Sequence, residues 1–115
     1  MKVYIAGKIT GNEGYRADFD AEEKRLREEI ERTTGRKPVV LNPANLPEGM
    51  DYADYMWICF AMIARADVVF LMEHWFESNG AKMENSYAQH IGKRIVSFYE
   101  EEENPGIWRR ICDEL

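Results

Sequence analysis

The chain has 115 residues, of which 45% are hydrophobic and 12% aromatic, with 15 Lys and Arg against 21 Asp and Glu. This length and composition exclude a disordered chain, so we expect a single domain over residues 1–115 with a hydrophobic core of its own. The net charge of −6 argues against binding to a nucleic acid polymer or to an anionic membrane, although a few backbone N–H groups can still bind a small anion.

The cysteine content and the apolar runs indicate a cytoplasmic protein. Cys59 and Cys112 are far apart and form neither a disulfide framework nor a zinc-ligand pattern. The opening MKVYIAG is typical of a strand rather than of a signal peptide, because its apolar run is short. The longest apolar stretch, residues 56–64, is far shorter than a membrane span. We therefore expect reduced thiols and no bound metal.

Short apolar runs alternate with longer helical patterns along the chain. The short runs are β-prone, and the longer segments are either amphipathic at helical spacing or apolar on most faces. Taken in chain order, the predicted elements are a strand at 3–6, a helix at 15–33, a strand at 38–41, a helix at 52–65, a strand at 67–72, a helix at 80–91, a strand at 94–98 and a helix at 105–114. Gly35 and Gly92 are helix stops, Pro105 lies at the start of the last helix, and Pro47 and Gly49 mark a loop.

The order of these elements predicts an α/β fold. The strands lack polar alternation, which is typical of a mostly parallel sheet of four or five strands covered by helices on both faces. Such a three-layer sandwich places its ligand crevice beyond the carboxyl ends of the strands. Two loops must then line the crevice, at residues 7–14 after the first strand and at residues 73–79 after the third.

The first of these loops has the sequence AGKITG. Gly7 and Gly11 enclose a short polar turn whose backbone N–H groups can approach an anion or a sugar. The loop is neither a Walker A motif nor a GxGxxG motif, so neither nucleoside triphosphate hydrolysis nor dinucleotide binding is indicated. The alternative is a tight turn between a strand and a loop with no ligand at all.

The second loop runs into a helix through the sequence WFESNGAKME. Ser78 or Asn79 can cap this helix, whose first N–H groups then point into the crevice as an anion site, with the Ser78 hydroxyl as an extra donor. Glu84 lies about one helical turn after Gly80, so the two residues can share a face of the helix. Trp75 can supply a flat surface for a base, or a lid. The alternative is an ordinary capped helix with an exposed glutamate.

A third candidate region is the start of the helix at 52–65. Tyr52, Tyr55 and Cys59 fall on adjacent turns and can face the crevice. A small buried hydrophobe is the commoner role for a residue such as Cys59. A catalytic thiol is the alternative, but His74 and His90 are isolated and provide no evident partner.

Together these segments resemble the nucleoside 2-deoxyribosyltransferase-like superfamily, in particular a small phage and bacterial branch. The resemblance covers nearly the whole chain in the same order. The matching pieces are YIAGKITG at 4–11, Asn42-Pro43, ADVV at 66–69, WFESNGAKME at 75–84, Tyr87-Ala88 and Gly92-Lys93. The later pieces fit the family pattern Gly-x-x-x-Glu-x-x-x-Ala-x-x-x-Gly, in which Glu84 is the glutamate.

The resemblance implies a flavodoxin-like or Rossmann-like fold and an N-glycosidase or deoxyribosyltransferase activity. The substrate is a deoxynucleoside or its 5′-monophosphate, and no cofactor is needed. Glu84 then attacks C1′ and forms a glycosyl-enzyme ester, which water or a second base resolves. In the phosphate-accepting members, residues at the positions of Ser78 and Gly80 hold the 5′-phosphate together with the first loop. Members of the family are commonly homodimers or larger homo-oligomers, in which a neighbour completes the pocket.

We accordingly expect Glu84 to be the catalytic residue. The expected substrate-binding residues are Tyr4, Gly7, Lys8, Ile9, Gly11, Asn42, Tyr55, Cys59, Trp75, Ser78, Asn79 and Gly80.

The chain departs from the family at one position. The enzymes usually have an aspartate at the place of Cys59, where it assists the sugar or the departing base as a proton partner. A neutral thiol is a poor substitute for it. Asp51 and Asp54 lie one to two turns earlier and are candidates to replace it. Three hypotheses follow: an enzyme that uses Glu84, a catalytically weak module that sequesters a nucleotide in the same pocket, and an interaction protein that keeps only the fold.

Overall fold

Four strands form one parallel sheet with helices on both faces in the computed structural model, which describes residues 1–115. The strands are Lys2–Ala6 (β1), Val39–Leu41 (β2), Val68–Leu71 (β3) and Arg94–Ser97 (β4). The helices are Tyr15–Thr34 (α1), Tyr52–Arg65 (α2), Asn79–His90 (α3), Phe98–Glu103 (α4) and Ile107–Glu114 (α5). Single turns of 3₁₀-helix lie at Pro43–Asn45 and Trp75–Glu77.

The strand order β2-β1-β3-β4 places the crevice. All neighbouring strands pair in parallel, and β2 and β3 lie on opposite sides of β1. The chain therefore leaves β1 in one direction and later returns on its other side, which opens a crevice beyond the carboxyl ends of β1 and β3. At this edge Ala6 is in register with Leu71, and the backbone N–H of Met72 donates to the Ala6 carbonyl at 2.8 Å.

Two hydrophobic clusters lie on the two faces of the sheet. Successive side chains of β1 point to opposite faces, so Val3 and Ile5 belong to one cluster and Tyr4 and Ala6 to the other. Helices α1 and α5 cover the first cluster, and α2 and α3 cover the second. The predicted α/β fold, with a parallel sheet covered on both faces, is confirmed with four strands.

The end of the chain differs from the prediction. Phe98 was expected to end the last strand, but it begins α4, which contains the acidic run Glu100–Glu103. Ser97 caps this short helix by accepting the N–H of Glu100 at 3.0 Å. The Glu101 carboxylate accepts hydrogen bonds from Trp108 Nε1 at 2.6 Å and from Arg25 at 2.7 Å. Because these contacts anchor the acidic run to both neighbouring helices, it forms a helical turn rather than a solvated loop.

Gly7 is the glycine on which the first loop depends. A Cβ at this position would lie 2.7 Å from the Met72 sulfur and 3.2 Å from the ring of Phe19. A side chain at this position would therefore have to displace Met72 and press on Phe19, which glycine avoids. Separately, no helix of the chain has the length and apolar character that crossing a membrane requires.

Candidate active site

A cavity of about 460 Å³ opens beyond the carboxyl ends of β1 and β3. Its walls come from both of the loops that were expected to line the crevice, from the start of α1, from the turn after β2, and from α2 and α3. The lining residues are Gly7, Ile9, Thr10, Tyr15, Pro43, Tyr52, Tyr55, Met56, Cys59, Glu77, Ser78, Asn79, Gly80 and Glu84. This volume lies within the range of small-molecule sites in proteins.

Glu84 is the buried charged residue of this cavity. It lies on the inner face of α3 with only 6% of its surface exposed. Its Oε2 atom accepts a hydrogen bond from the hydroxyl of Tyr4, a fully buried residue of β1. The sheet therefore holds the carboxyl group in place from below while the cavity reaches it from the other side.

Burial controls the ionisation of this group. It raises the pKa of Glu84 from its ordinary 4.5 to about 7, although hydrogen bonds from Tyr4 and Cys59 partly oppose the shift. Burial and the nearby carboxyl group raise the pKa of Tyr4 well above 10, so its hydroxyl keeps its proton and remains a donor. Near neutral pH the carboxyl is therefore about half ionised.

Cys59 lies beside this pair and stays a neutral thiol. Its side chain is 5% exposed, and burial, together with the neighbouring Glu84 carboxyl group, raises the pKa of Cys59 to about 12. A reactive cysteine needs surroundings that favour the thiolate, and these surroundings disfavour it. A protonated thiol of this kind is a poor nucleophile and a weak hydrogen-bond donor.

The start of α3 forms the polar wall of the cavity. Ser78 caps the helix as predicted, because its Oγ accepts the backbone N–H of Ala81 at 3.1 Å. The first amides of a helix have no partner within it and carry the positive end of the helix dipole. Asn79 and Gly80, the first two residues of α3, line the cavity, and the Ser78 hydroxyl still has its own proton to donate.

Three tyrosines form much of the remaining wall. The hydroxyl of Tyr55 donates to the carbonyl of Pro47, which leaves the ring as the part available to a ligand. The Tyr52 hydroxyl lies 3.8 Å from the Met83 sulfur, next to the start of α3. Tyr15, at the start of α1, completes the set. Aromatic rings in such a cavity provide flat surfaces against which a planar base can pack.

The charges of the lining are all acidic. Glu77 and Glu84 are its two ionisable carboxyl groups, and no lysine or arginine takes part. Glu77 is exposed and lies 3.2 Å from Nδ1 of His74. An anionic ligand would therefore depend on backbone N–H groups and hydroxyls. No group of three or more His, Cys, Asp or Glu side chains is placed to hold a metal ion.

The structure brings most of the expected site residues to one place. Besides Glu84, the expected residues that line the cavity are Gly7, Ile9, Tyr55, Cys59, Ser78, Asn79 and Gly80. Tyr4 does not line the cavity, although it contacts Glu84. It was expected to contact substrate, but it is fully buried and meets the cavity only through its hydrogen bond to Glu84.

Besides Tyr4, four expected binding residues lie outside the cavity lining. Lys8 and Gly11 are exposed on the first loop and do not line the cavity. Asn42 is buried and caps the turn after β2, accepting the N–H of Ala44 at 2.9 Å and donating to two carboxylates of α1. Trp75 is half-buried against the apolar cluster under α2 and α3, so it neither covers the cavity nor offers it a free ring.

The candidates for replacing the missing aspartate also lie elsewhere. Asp51 and Asp54 are exposed at the start of α2 and do not line the cavity. Other lining residues were not among the expected binding residues: Thr10, Tyr15, Pro43, Tyr52, Met56 and Glu77. Of these, Tyr52 had been expected to face the crevice together with Tyr55 and Cys59, and it does line the cavity. No sequence signal assigned Tyr15 to the cavity, because its place in the apolar stripe of α1 explained it fully.

One comparison with solved structures concerns the fold. A 2-desoxiribosyltransferase from Leishmania mexicana has a similar structure, with a TM-score of 0.60 and 22% sequence identity. The match covers 84% of this chain and 63% of that protein, so the chain spans less than two thirds of the enzyme's length. At this identity the likeness shows a shared fold, and the expected structural resemblance to a deoxyribosyltransferase is confirmed.

Two further comparisons concern sequence. No curated protein matches the chain. A protein family described as a domain of unknown function, DUF4406, matches residues 1–97, which include both strands at the crevice, α2 and the whole of α3. The chain therefore belongs to the DUF4406 family.

Proposed function

We propose that this protein cleaves or transfers the N-glycosidic bond of a deoxynucleoside or of its 5′-monophosphate, with Glu84 as the nucleophile. The observation that carries the proposal is a single buried carboxyl group, fixed by a tyrosine of the sheet, at the floor of a cavity of ligand size. The similarity in fold to a 2-desoxiribosyltransferase supports the same chemistry.

The proposed reaction has two steps. The ionised oxygen of Glu84 forms a bond to C1′ while the bond from C1′ to the base nitrogen breaks, and the electron pair leaves with the base, which takes up a proton. Water, or the nitrogen of a second base, then attacks C1′ and releases the Glu84 carboxylate. Tyr4 takes part as a positioning residue, because its hydrogen bond fixes the orientation of the carboxyl group without contacting the substrate.

The chemistry of the other cavity walls indicates which part of the substrate each would contact. The rings of Tyr15 and Tyr55 suit the planar base, and the start of α3 suits the 5′ end of the sugar. Ser78 and the amides of Asn79 and Gly80 can hydrogen-bond either a 5′-hydroxyl or a 5′-phosphate.

A second candidate function has its own supporting observation. The thiol of Cys59 has a pKa of about 12, and neither Asp51 nor Asp54 lies at the cavity. The leaving base therefore lacks the aspartate that assists it in the family. Losing such a partner costs on the order of 10²–10⁴ in rate. A module that binds a nucleotide in this cavity and turns it over weakly is consistent with that environment.

The deciding experiment measures base release and binding together. Wild-type protein is incubated with the four deoxynucleosides and their 5′-monophosphates, and free base is measured by chromatography. Thermal shifts are recorded with the same compounds, and the bound compound is recovered. The matched variants are Glu84→Gln, which keeps the size of the side chain, and Glu73→Gln, which changes an exposed glutamate outside the cavity lining.

Each outcome favours one function. Base release by the wild type and by Glu73→Gln, but not by Glu84→Gln, supports the enzyme. Thermal stabilisation by a compound that is recovered intact supports the binding module. The absence of both release and stabilisation for every compound rejects both and leaves an interaction protein that has kept the fold.

A further inference from the structure

The charges around the cavity suit a positively charged ligand. The two carboxyl groups of the lining are Glu77 and Glu84, and no lysine, arginine or histidine lies among the lining residues. Arg16, which follows the lining residue Tyr15, is paired with Glu48 at 3.3 Å and does not line the cavity. The chain as a whole carries a net charge of −6, and a concave site in such a field attracts cations.

The aromatic residues of the lining have the same preference. Three tyrosines, Tyr15, Tyr52 and Tyr55, line the cavity. The faces of aromatic rings carry negative electrostatic potential, and several rings around one site are typical of sites that bind cationic ligands. The ring of Tyr15 already attracts one cation, because the Arg16 guanidinium lies 5.5 Å from its centroid. A planar base with a positive charge would therefore gain both packing and electrostatic attraction from these rings.

The group beside Glu84 determines how a base can leave. Cys59 lies next to this carboxyl group, and burial raises the pKa of its thiol to about 12. A neutral base leaves C1′ readily only when an acid protonates it, and a thiol of this kind is a poor acid. A base that already carries a positive charge leaves as a neutral molecule and needs no acid. The surroundings of Glu84 thus fit a cationic leaving group better than a neutral one.

We propose that the substrate is a deoxynucleoside, or its 5′-monophosphate, whose base carries a permanent positive charge, such as a pyridinium or an N-alkylated purine. This inference rests on the proposed cleavage by Glu84. The Glu84 carboxylate forms the ester bond to C1′ while the bond from C1′ to the charged ring nitrogen breaks. The electron pair of that bond stays on the nitrogen and cancels its charge, so the base takes up no proton. Water then attacks C1′, releases the carboxylate and gives its proton to the solvent.

A cationic substrate would also ionise the nucleophile. Burial raises the pKa of Glu84 to about 7, so about half of the carboxyl groups hold a proton near neutral pH. A positive charge placed beside a carboxyl group favours its ionised form. The bound base therefore converts Glu84 into the carboxylate that attacks C1′. A neutral nucleoside does not have this effect.

The first test measures binding with two compounds that have no sugar to release. 1-Methylnicotinamide is a pyridinium cation, and nicotinamide is its neutral counterpart of nearly the same shape. Isothermal titration calorimetry of the wild type at low salt should give at least about tenfold higher affinity for the cation. Glu84→Gln removes the buried charge and should lose most of this preference. Glu73→Gln changes an exposed glutamate outside the cavity lining and should keep it.

The second test compares the turnover of a charged and a neutral nucleoside. The 2′-deoxyriboside of nicotinamide has a pyridinium base, and 2′-deoxycytidine has a neutral base of similar size. The wild type should release nicotinamide at least about 10²-fold faster than cytosine, after subtraction of the rate without protein. Cys59→Asp supplies an acid that only the neutral base needs, so it should reduce this ratio at least about tenfold. Cys59→Asn, which supplies no acid, should leave the ratio unchanged.

The outcomes distinguish this inference from the proposed function. Equal affinity for the two nicotinamide compounds, or cytosine released as fast as nicotinamide, overturns the cationic substrate, while base release itself still supports the proposed function. A ratio that Cys59→Asp leaves unchanged overturns it as well. Preferential binding of the cation without base release from either nucleoside rejects the proposed cleavage, and with it the substrate, and leaves a cavity that only binds cations.

Discussion

The hydroxyl of Tyr4 on β1 donates a hydrogen bond to the carboxyl group of Glu84 on α3, across a separation of 80 residues in the chain. Both groups are buried, one in the sheet and the other at the cavity floor. The hydrogen bond from Tyr4 thus has two effects on Glu84. It fixes the position of the carboxyl group, and it favours the ionised form of that group.

Removing that donor should raise the pKa of the carboxyl group. In Tyr4→Phe the carboxylate loses its hydrogen bond and stays buried, so we expect the pKa of Glu84 to rise above about 7. Each unit of increase lowers the ionised fraction at neutral pH by up to about tenfold, and base release should fall in proportion. A carbon-13 NMR titration of the glutamate carboxyls measures the pKa directly. Tyr87→Phe, whose hydroxyl makes no hydrogen bond within the chain, is the control, and an equal shift in both variants would remove Tyr4 from this role.

The stability of the protein should depend on pH through Glu84. Because the folded state holds the proton of Glu84 more tightly than the unfolded chain does, the free energy of unfolding should fall as pH rises from about 4.5 to about 7. The fall attributable to this group is about 3 kcal/mol. Urea unfolding of the wild type and of Glu84→Gln at several pH values isolates it, since the amide does not titrate. A constant difference in stability between the two proteins over this pH range would show that the pKa of Glu84 is ordinary.

A methyl group at Gly80 should fit without strain, but it should reduce the volume of the cavity. A Cβ at this position would lie 3.6 Å from the Tyr52 hydroxyl and 3.8 Å from both the Met56 sulfur and the Ser78 Oγ, which are ordinary contacts. Gly80→Ala should therefore stabilise α3 by up to about 1 kcal/mol. The same methyl group occupies space at the polar wall, so ligand affinity should fall. Thermal unfolding and ligand titration of one preparation measure both effects, and an unchanged affinity would place the ligand away from the start of α3.

Introducing an acid at position 59 tests whether the cavity lacks a proton partner. Cys59→Asp brings a second carboxyl group beside Glu84, and two neighbouring carboxyl groups shift one pKa upward, which provides a proton for the leaving base. If Glu84 is the nucleophile, base release should increase by at least about tenfold. Cys59→Asn has a similar size but no ionisable group and should not increase the rate. Equal rates in the two variants would mean that protonation of the base does not limit turnover.

The sequence was sufficient to predict the fold because its local signals agree. Apolar β-prone runs, helix stops at Gly35 and Gly92, and the capping residue Ser78 all point to the same alternation of strands and helices. The prediction was wrong at α4, where the stabilising contacts come from Arg25 and Trp108 rather than from the segment itself.

The site was predictable only in part, because it too depends on contacts between distant parts of the chain. Gly80 and Glu84 are four residues apart on α3, so their spacing predicts that they share a face. The contact between Tyr4 and Glu84 depends on how α3 packs on the sheet, which no local pattern contains. Asn42 and Trp75 were assigned to the ligand because their residue types suit binding, but a turn and an apolar cluster already use them.

The proposed covalent bond between Glu84 and C1′ of the sugar can be trapped directly. A 2′-fluoro analogue of the deoxynucleoside that shows the fastest base release should slow resolution of the ester, and mass spectrometry of the digested protein then locates the sugar. If Glu84 is the nucleophile, the peptide that contains it will carry one fluorodeoxyribosyl group, and the corresponding peptide of Glu84→Gln will carry none. Base release with no modified peptide, or with the sugar on another residue, would contradict it.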